Sequence, residues 1–334
     1  MPIRALTTAT LCTLVVLAGC QASTNGSLPA RSADATRTAP DVAKTLYVSS
    51  RDTDQVFGFK ATASGNVAPT IAIGGSQTQL FQPFPIDVDS GGKLYVVNDG
   101  STEVLIFPAG SNGNVKPKIL GGPKTKLEHA DGVALDASDQ LYVSDYVQNA
   151  VYVFKKGAAG NVKPIRTIAG SKTLLDGPVG MALDSNGNLW VANFYSVDSP
   201  LLEFASGANG NVAPTATIGG SNTGLGGPYN VGIDPTGRII ARNSTHDGIA
   251  IFAAGSHGNV SPTAVITGSK TKLTNLTTVG TDAKGRIYAT TLIYASATDS
   301  ILTFASNASG NVKPIAAITG SKTQFREPLY PTIY

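Results

Sequence analysis

Residues 157–175 read GAAGNVKPIRTIAGSKTLL, and close variants of this phrase return along the whole 334-residue chain. The Gly-Asn-Val-x-Pro core occurs six times, with its asparagine at Asn66, Asn114, Asn161, Asn211, Asn259 and Asn311. The spacing between successive asparagines ranges from 47 residues (Asn114 to Asn161) to 52 residues (Asn259 to Asn311). A period of this length indicates a repeated supersecondary unit that buries its core by stacking on its neighbours.

Each unit contains four short apolar segments separated by Gly, Asn, Asp and Ser. In the third copy the segments are 132–136, 141–145, 150–154 and 162–168. Their length and the turn-forming residues between them are typical of β-strands, and no unit shows an extended helical period. Four strands per unit at this period predict the blade of a β-propeller, so the fold class is all-β with four antiparallel strands per blade.

The opening phrase is then the turn between the third and fourth strands, followed by the fourth strand. We expect Gly157, Gly160 and Asn161 to take the positive φ of a tight hairpin. Proline has no N–H to donate to a sheet, so its recurrence predicts an outer edge strand. The prolines expected inside the fourth strands are Pro69, Pro117, Pro164, Pro214, Pro262 and Pro314.

The two chain ends predict how the ring closes. The first copy begins with a second strand at Leu46, so its first strand is missing. Residues 325–334 match the first strand of the second copy at 81–89. We therefore expect the C-terminal strand to pair into the N-terminal blade, giving six blades and no open edge in the ring.

Several strand pairs resemble the NHL repeat over residues 45–334. The matching stretches are 131–136, 141–145, 149–154 and 177–193, with weaker agreement at 241–243 and 289–291. The resemblance implies a six-bladed propeller. NHL-type propellers include scaffolds, lyases and hydrolases, so the resemblance does not fix a function.

The N-terminus carries the features of a bacterial lipoprotein. Arg4 precedes an apolar stretch at 5–18 that is too short to span a bilayer. The sequence Leu-Ala-Gly-Cys at 17–20 resembles a lipobox, which implies a signal peptide at 1–19 and lipid on Cys20. An ordinary secretory signal with a chance cysteine is the alternative.

The segment 20–44 is rich in Ser, Thr, Ala and Arg, which predicts a flexible tether between the lipid and the propeller. In bacterial lipoproteins, Asp after the lipidated cysteine is associated with retention in the inner membrane. Gln21 stands at that position here, so the resemblance favours the outer membrane, with the propeller facing the periplasm or the exterior. The membrane, reached through Cys20, is then one partner. Cys12 would be removed with the signal peptide and Cys20 would carry the lipid, so we expect no free thiol for a disulfide or a metal site.

Composition excludes one class of partner. Charged residues make up 14% of the chain and the formal net charge is +3, without a block of Lys and Arg. Phosphate backbones need clustered cations, so we expect no nucleic acid. We expect a monomer.

Candidate site residues lie at one end of the ring, which we call the top. It carries the second-to-third and fourth-to-first strand loops. Polar residues end the second strands, histidines with nearby carboxylates lie in the loops, and aromatic residues occupy the longest loops. The candidate ligand-binding residues are Asn98, His129, Asp131, Asp145, Asn193, Phe194, Tyr195, Asn243, His246 and Tyr294.

The function expected from this pattern is a non-catalytic binding platform for a protein, a glycan or a small ligand, with no cofactor. The alternatives are a passive envelope component and a divalent-cation-dependent hydrolase or lyase of the gluconolactonase type. Resemblance to the latter implies a cation in the central channel, held by a Glu and Asn or Asp side chains. Here only Asp87, Asp131 and Asn230 suggest oxygen ligands on innermost strands, fewer than a hard cation prefers. The sequence therefore does not decide whether the protein binds a metal.

Overall fold

The computed structural model describes residues 44–196, 198, 200–243, 248–292 and 299–334. These described residues belong to one compact unit. Its strands are arranged as six separate antiparallel sheets of four strands each, which is a six-bladed β-propeller. Cys20, His246 and Tyr294 lie outside the described residues. Among the described residues, no helix has the length and apolar character needed to cross a membrane.

The strands are numbered along the chain, and each blade is given from its innermost to its outermost strand. Blade 1 contains β24 (Pro328–Ile333), β1 (Thr45–Ser50), β2 (Gln55–Lys60) and β3 (Ile71–Ile73). Blade 2 contains β4 (Pro83–Val88), β5 (Leu94–Asn98), β6 (Glu103–Phe107) and β7 (Lys118–Gly121). Blade 3 contains β8 (Ala130–Leu135), β9 (Leu141–Asp145), β10 (Ala150–Phe154) and β11 (Arg166–Ala169).

The remaining blades repeat this order. Blade 4 contains β12 (Pro178–Leu183), β13 (Leu189–Asn193), β14 (Leu201–Phe204) and β15 (Ala216–Ile218). Blade 5 contains β16 (Val231–Ile233), β17 (Ile239–Asn243), β18 (Gly248–Phe252) and β19 (Ala264–Ile266). Blade 6 contains β20 (Leu276–Thr281), β21 (Ile287–Thr291), β22 (Ser300–Phe304) and β23 (Ala316–Thr319). Two single-turn 3₁₀ helices lie at Arg51–Thr53 and Ser321–Thr323.

The predicted closure of the ring is confirmed. Strand β24 pairs antiparallel with β1, with Leu46 opposite Ile333. Beyond that pair, Thr45 N–H donates to the Tyr334 carbonyl at 2.8 Å and Tyr334 N–H donates back to the Thr45 carbonyl at 3.0 Å. The first and last residues of the propeller therefore complete one blade.

The core lies between blades, because both faces of each sheet are covered. Along β10, Tyr152 and Phe154 pack in a cluster with blade 2, while Val151 and Val153 pack in a cluster with blade 4. Successive side chains of a strand point to opposite faces, so an interior strand must be apolar at every position. All five residues of β10 are buried.

The repeated phrase differs from its prediction in two ways. Strand β11 begins at Arg166, so Pro164 lies before the fourth strand and not inside it, and the other five prolines also precede their strands. The physical reason is the missing proline N–H: the first bond to the third strand comes from Ile165 N–H, which donates to the Val153 carbonyl at 2.7 Å.

The second difference concerns Asn161. Gly157 and Gly160 take positive φ as predicted, but the prediction for Asn161 is wrong. Asn161 Oδ1 instead accepts the backbone N–H of Lys124 in the preceding blade at 2.7 Å. Beside it, Gly160 N–H donates to the Ile119 carbonyl at 2.6 Å. The repeated phrase therefore holds neighbouring blades together and does not form a tight hairpin. We call the hydrogen bond between its asparagine and the preceding blade the clasp.

Candidate functional site

A cavity of about 480 Å³ opens at the top end of the ring. Six of its lining residues occupy equivalent positions near the start of the innermost strands, one from each blade. They are Phe84, Asp131, Val179, Tyr229, Thr277 and Leu329. Asp131 is the only charged residue among these six equivalents. Equivalent positions of the six blades therefore line the cavity, and only blade 3 has a carboxylate at this position.

A second group of lining residues follows directly after the second strands. Its described members are Arg51, Asp99, Tyr146, Phe194 and Leu292. Arg242, the penultimate residue of β17, also lines the cavity. The equivalent positions of the other blades hold Ser49, Val97, Ser144, Ala192 and Thr290, which are all smaller and uncharged. Arg242 is therefore a second charged residue that departs from the repeat in this cavity.

Three buried side-chain atoms of the described residues have no hydrogen-bond partner: Arg51 Nε, Asp131 Oδ1 and Arg242 Nε. All three residues line the top cavity. Buried polar groups in native proteins are nearly always paired, so each exception needs a physical account. Because all three residues line one cavity, a polar ligand bound there would provide partners for these atoms.

Asp131 is the carboxyl group among these three. It is 6% exposed, and its Oδ1 lies 3.6 Å from His129 Nε2. Burial, followed by repulsion from Asp99 and Asp145, raises the pKa of Asp131 to about 7. A carboxyl group that titrates near neutrality in a cleft can accept, hold or release a proton at physiological pH.

Arg51 compensates the other carboxylates of the cavity. Its Nη2 lies 2.6 Å from Asp99 Oδ2, and its Nη1 lies 3.5 Å from Glu327 Oε1. Burial, the largest effect, raises the pKa of Glu327. Arg242, by contrast, forms no ion pair among the residues that the structure describes. Among the lining residues that the structure describes, Arg242 is thus a cation without an ion-paired carboxylate.

An aromatic row runs along one side of the cavity, from blade 3 to blade 5. Ring centroids are separated by 5.4 Å between His129 and Tyr146, and by 5.2 Å between Tyr146 and Tyr195. The row continues over 5.3 Å from Tyr195 to Phe194 and over 5.0 Å from Phe194 to Tyr229. Tyr195 is 59% exposed, so the row extends from the cavity wall to solvent. Such rings offer flat apolar faces with polar edges.

The structure brings together part of the predicted site. His129, Asp131 and Phe194 line the cavity, and Tyr195 lies in the aromatic row. Asn98, Asp145, Asn193 and Asn243 are not among its lining residues.

The side chains of Asn98, Asp145 and Asn193 bind the loop that enters the first strand of the same blade. Asn98 Oδ1 accepts Phe81 N–H at 3.0 Å, and Asp145 Oδ2 accepts His129 N–H at 3.0 Å. These polar residues at the strand ends therefore have a structural role. Asp145 positions the loop on which His129 lies.

The sequence prediction missed most of the lining residues, including Arg51, Asp99, Tyr146, Tyr229 and Arg242. A signal for Arg242 was present, because the stretch 241–243 departs from the pattern of the other second strands. For the other four, only the ring arrangement shows that residues from four different blades line one cavity.

A second cavity, of about 260 Å³, lies deeper in the channel and is lined by the innermost strands. Asp87 and Asn230 lie there, whereas Asp131 lines the top cavity. Asp87 Oδ2 accepts Leu135 N–H at 2.9 Å, and Asn230 Oδ1 accepts Val279 N–H at 3.0 Å. These oxygens link neighbouring first strands. The three candidate oxygen ligands therefore do not share one cavity, and they do not fit the hard-cation site that the gluconolactonase resemblance implies.

No protein-family model matches the chain, and no curated protein matches it. Solved structures do. A protein of unknown function from Bacteroides caccae aligns over 87% of this chain and 98% of its own, with 9% identity and a TM-score of 0.59. A putative 6-phosphogluconolactonase from Bacteroides uniformis covers 89% of this chain and 86% of its own, with 14% identity and a TM-score of 0.54.

A protein from Lactobacillus plantarum covers 83% of this chain and 82% of its own, with 16% identity and a TM-score of 0.52. Similarity at these identities establishes the propeller fold and carries no activity with it.

Proposed function

We propose that this propeller binds a small polar ligand in the top cavity. The observation that carries the proposal is the convergence of three unpartnered buried atoms, on Arg51, Asp131 and Arg242, in one space. The cavity volume of about 480 Å³ falls within the range of about 300–1,000 Å³ that small-molecule sites occupy.

The lining suggests how such a ligand is held. Arg242 supplies a planar cationic fork for an anionic or carbonyl oxygen. Asp131, in the same lining, supplies a carboxyl that accepts a hydrogen bond when charged and donates one when protonated. Phe194 and Tyr229 supply an apolar wall against which a ring can stack. We infer a compact molecule with at least one oxygen-rich group, such as a sugar acid.

The test is a thermal-shift panel on the purified full-length protein. The probes are glucose, gluconate, glucuronate, gluconolactone, succinate and inorganic phosphate, each at millimolar concentration. We expect at least one of them to raise the Tm, because a ligand that binds only the native state stabilises it. Asp131→Asn and Arg242→Gln should abolish that shift.

Lys172→Gln is the matched control, because Lys172 is an exposed cation outside the cavity lining and its variant should respond like the wild type. The proposal fails if no probe shifts the wild type, or if the shift survives both cavity variants.

Catalysis is the second candidate function. The observation in its favour is the His129–Asp131 pair, in which a carboxyl with a pKa of about 7 lies 3.6 Å from an imidazole. Such a pair can move protons in hydrolysis or elimination. Release of acid from gluconolactone, above the uncatalysed rate and lost in Asp131→Asn, would favour a hydrolase over a binding protein.

We also infer that the propeller is NHL-like and is tethered to the bacterial envelope through a lipid on Cys20. The support is the lipobox-like sequence at 17–20. Mass spectrometry of the N-terminal peptide should show a lipidated Cys20, and Cys20→Ser should release the protein from the membrane fraction. An unmodified cysteine in a soluble wild-type protein would contradict the anchor.

A further inference from the structure

We propose that Asp99, His129 and Asp131 form a binding site for a zinc-class divalent transition metal ion. One ligand atom from each residue lies within 4.8 Å of the others. Asp99 follows β5 of blade 2, whereas His129 and Asp131 flank the start of β8 in blade 3. The site therefore joins two neighbouring blades.

The unpartnered oxygen of Asp131 is the independent observation that points to a cation. Asp131 is 6% exposed, and its Oδ1 has no hydrogen-bond donor. His129 Nε2 lies 3.6 Å away, too far for a hydrogen bond. Two ligand atoms that share one zinc ion at about 2.0–2.1 Å in tetrahedral geometry are about 3.4 Å apart. The observed spacing fits two ligands of one ion better than a direct contact.

Asp99 is already oriented for such a role. Its Oδ2 accepts a charge-assisted hydrogen bond from Arg51 Nη2 at 2.6 Å. The carboxylate of a metal ligand is commonly held by a hydrogen bond of this kind, which fixes the direction of the other oxygen. Arg51 in turn contacts Glu327, so the arrangement continues into blade 1.

The backbone of His129 is fixed as well. Its N–H donates to Asp145 Oδ2 at 3.0 Å, and its carbonyl accepts Tyr146 N–H at 2.9 Å. A loop held on both sides of the imidazole loses little freedom when a ligand binds. Ligand residues need this support, because a site held loosely binds a metal weakly.

The donor set selects the class of metal. An imidazole nitrogen with two carboxylate oxygens suits zinc and its first-row neighbours, and it leaves a coordination position open for water or a ligand. Calcium takes six to eight oxygens, which these three residues do not supply. The carboxylates of Asp99, Asp131 and Glu327 outweigh the single positive charge of Arg51 by two negative charges, which balance a divalent ion.

This proposal concerns an ion alone and does not rest on the small-ligand proposal. The test strips the purified full-length protein with a chelator and titrates it with zinc chloride against a chromophoric competitor. We expect one zinc ion per chain with micromolar or tighter affinity, and binding of calcium at least a hundredfold weaker. His129→Gln and Asp131→Asn should each weaken zinc binding at least tenfold.

His257→Gln is the matched control, because His257 is exposed in the repeated phrase of blade 5, away from the cavity lining. Its affinity for zinc should equal that of the wild type. A circular-dichroism melt verifies that each variant is folded, and Asp99→Asn replaces any variant that is not. The proposal is overturned if the wild type binds no zinc, if it prefers calcium, or if the folded His129 and Asp131 variants bind zinc as the wild type does.

Discussion

Asn66 Oδ1 accepts the backbone N–H of Lys322 at 2.7 Å and so joins two residues that are 256 positions apart in the sequence. The same asparagine bond links the other five blade interfaces, with backbone N–H donors at Gln77, Lys124, Lys172, Asn222 and Lys270. At the Asn66 interface it adds to the pairing of β24 with β1. The ring therefore closes by the same contact that spaces its blades.

Replacing Asn66 by Ala should lower the free energy of unfolding by about 0.5–1.5 kcal/mol, because it removes the acceptor of an exposed hydrogen bond from Lys322 N–H. Gly320→Ala should cost more. Gly320 has a φ of 111°, and a Cβ there would lie 2.7 Å from the Asn66 side chain. Lys322→Ala is the control: only its backbone takes part in the bond, so its free energy of unfolding in urea should stay within about 0.5 kcal/mol of the wild type. Equal effects of all three substitutions would contradict the clasp.

Deleting residues 326–334 should destabilise the whole ring. The deletion removes β24, exposes the inner edge of β1, and uncovers buried side chains such as Leu46 and Val48. We expect loss of a cooperative thermal transition in circular dichroism, since an open edge and a missing strand affect both neighbouring blades. A truncated protein with an unchanged Tm would refute the closure.

The period of the repeat and the match between its two ends were sufficient to predict the six-bladed ring and its closing strand. The repeat predicts the ring because the same contacts recur in every blade. The clasp was harder to predict, since Asn161 in a Gly-rich phrase suggests a turn, and its partner Lys124 belongs to the previous blade.

The site was predicted only in part for a related reason. His129 and Asp131 were found as chemically distinctive residues near one end of the ring. Arg242 becomes distinctive only when it is compared with the equivalent position in every blade. Arg51 contacts Glu327 only because β24 closes the ring. Residues that act together here are far apart in sequence, so spacing along the chain does not reveal them.

Two arginines should differ sharply in their effect on stability. Arg286 Nε lies 2.7 Å from Asp282 Oδ2, and Asp282 is 8% exposed. Arg286→Gln leaves this buried carboxylate without its cation and should cost about 1–3 kcal/mol in urea unfolding. Arg242→Gln breaks no ion pair of the described residues and should change stability by less than about 0.5 kcal/mol. If Arg242→Gln were as destabilising as Arg286→Gln, its role would be structural.

Stability should depend on pH through Asp87 in the channel. Burial raises the pKa of Asp87 to about 6 from its ordinary 3.8, although Val88 N–H and Leu135 N–H favour the charged form. Well below pH 3.8 the carboxyl is protonated in both the folded and the unfolded chain. As pH rises towards 6, the unfolded chain loses the proton first, so this group lowers stability by at most about 3 kcal/mol.

Melts of the wild type and Asp87→Asn between pH 4 and pH 7 test this expectation. The Tm of the wild type should fall relative to that of the variant across this window and then level off. A constant difference between the two proteins would show that Asp87 has the same pKa in the folded and unfolded chains.

The most direct measurement of the central claim is a crystal structure of the protein with the panel compound that raises its Tm most. The account predicts ligand density in the top cavity, with oxygen atoms within hydrogen-bond distance of Arg242 and Asp131. Density for the compound elsewhere on the protein, with none between these two residues, would contradict the assignment of this cavity as the binding site.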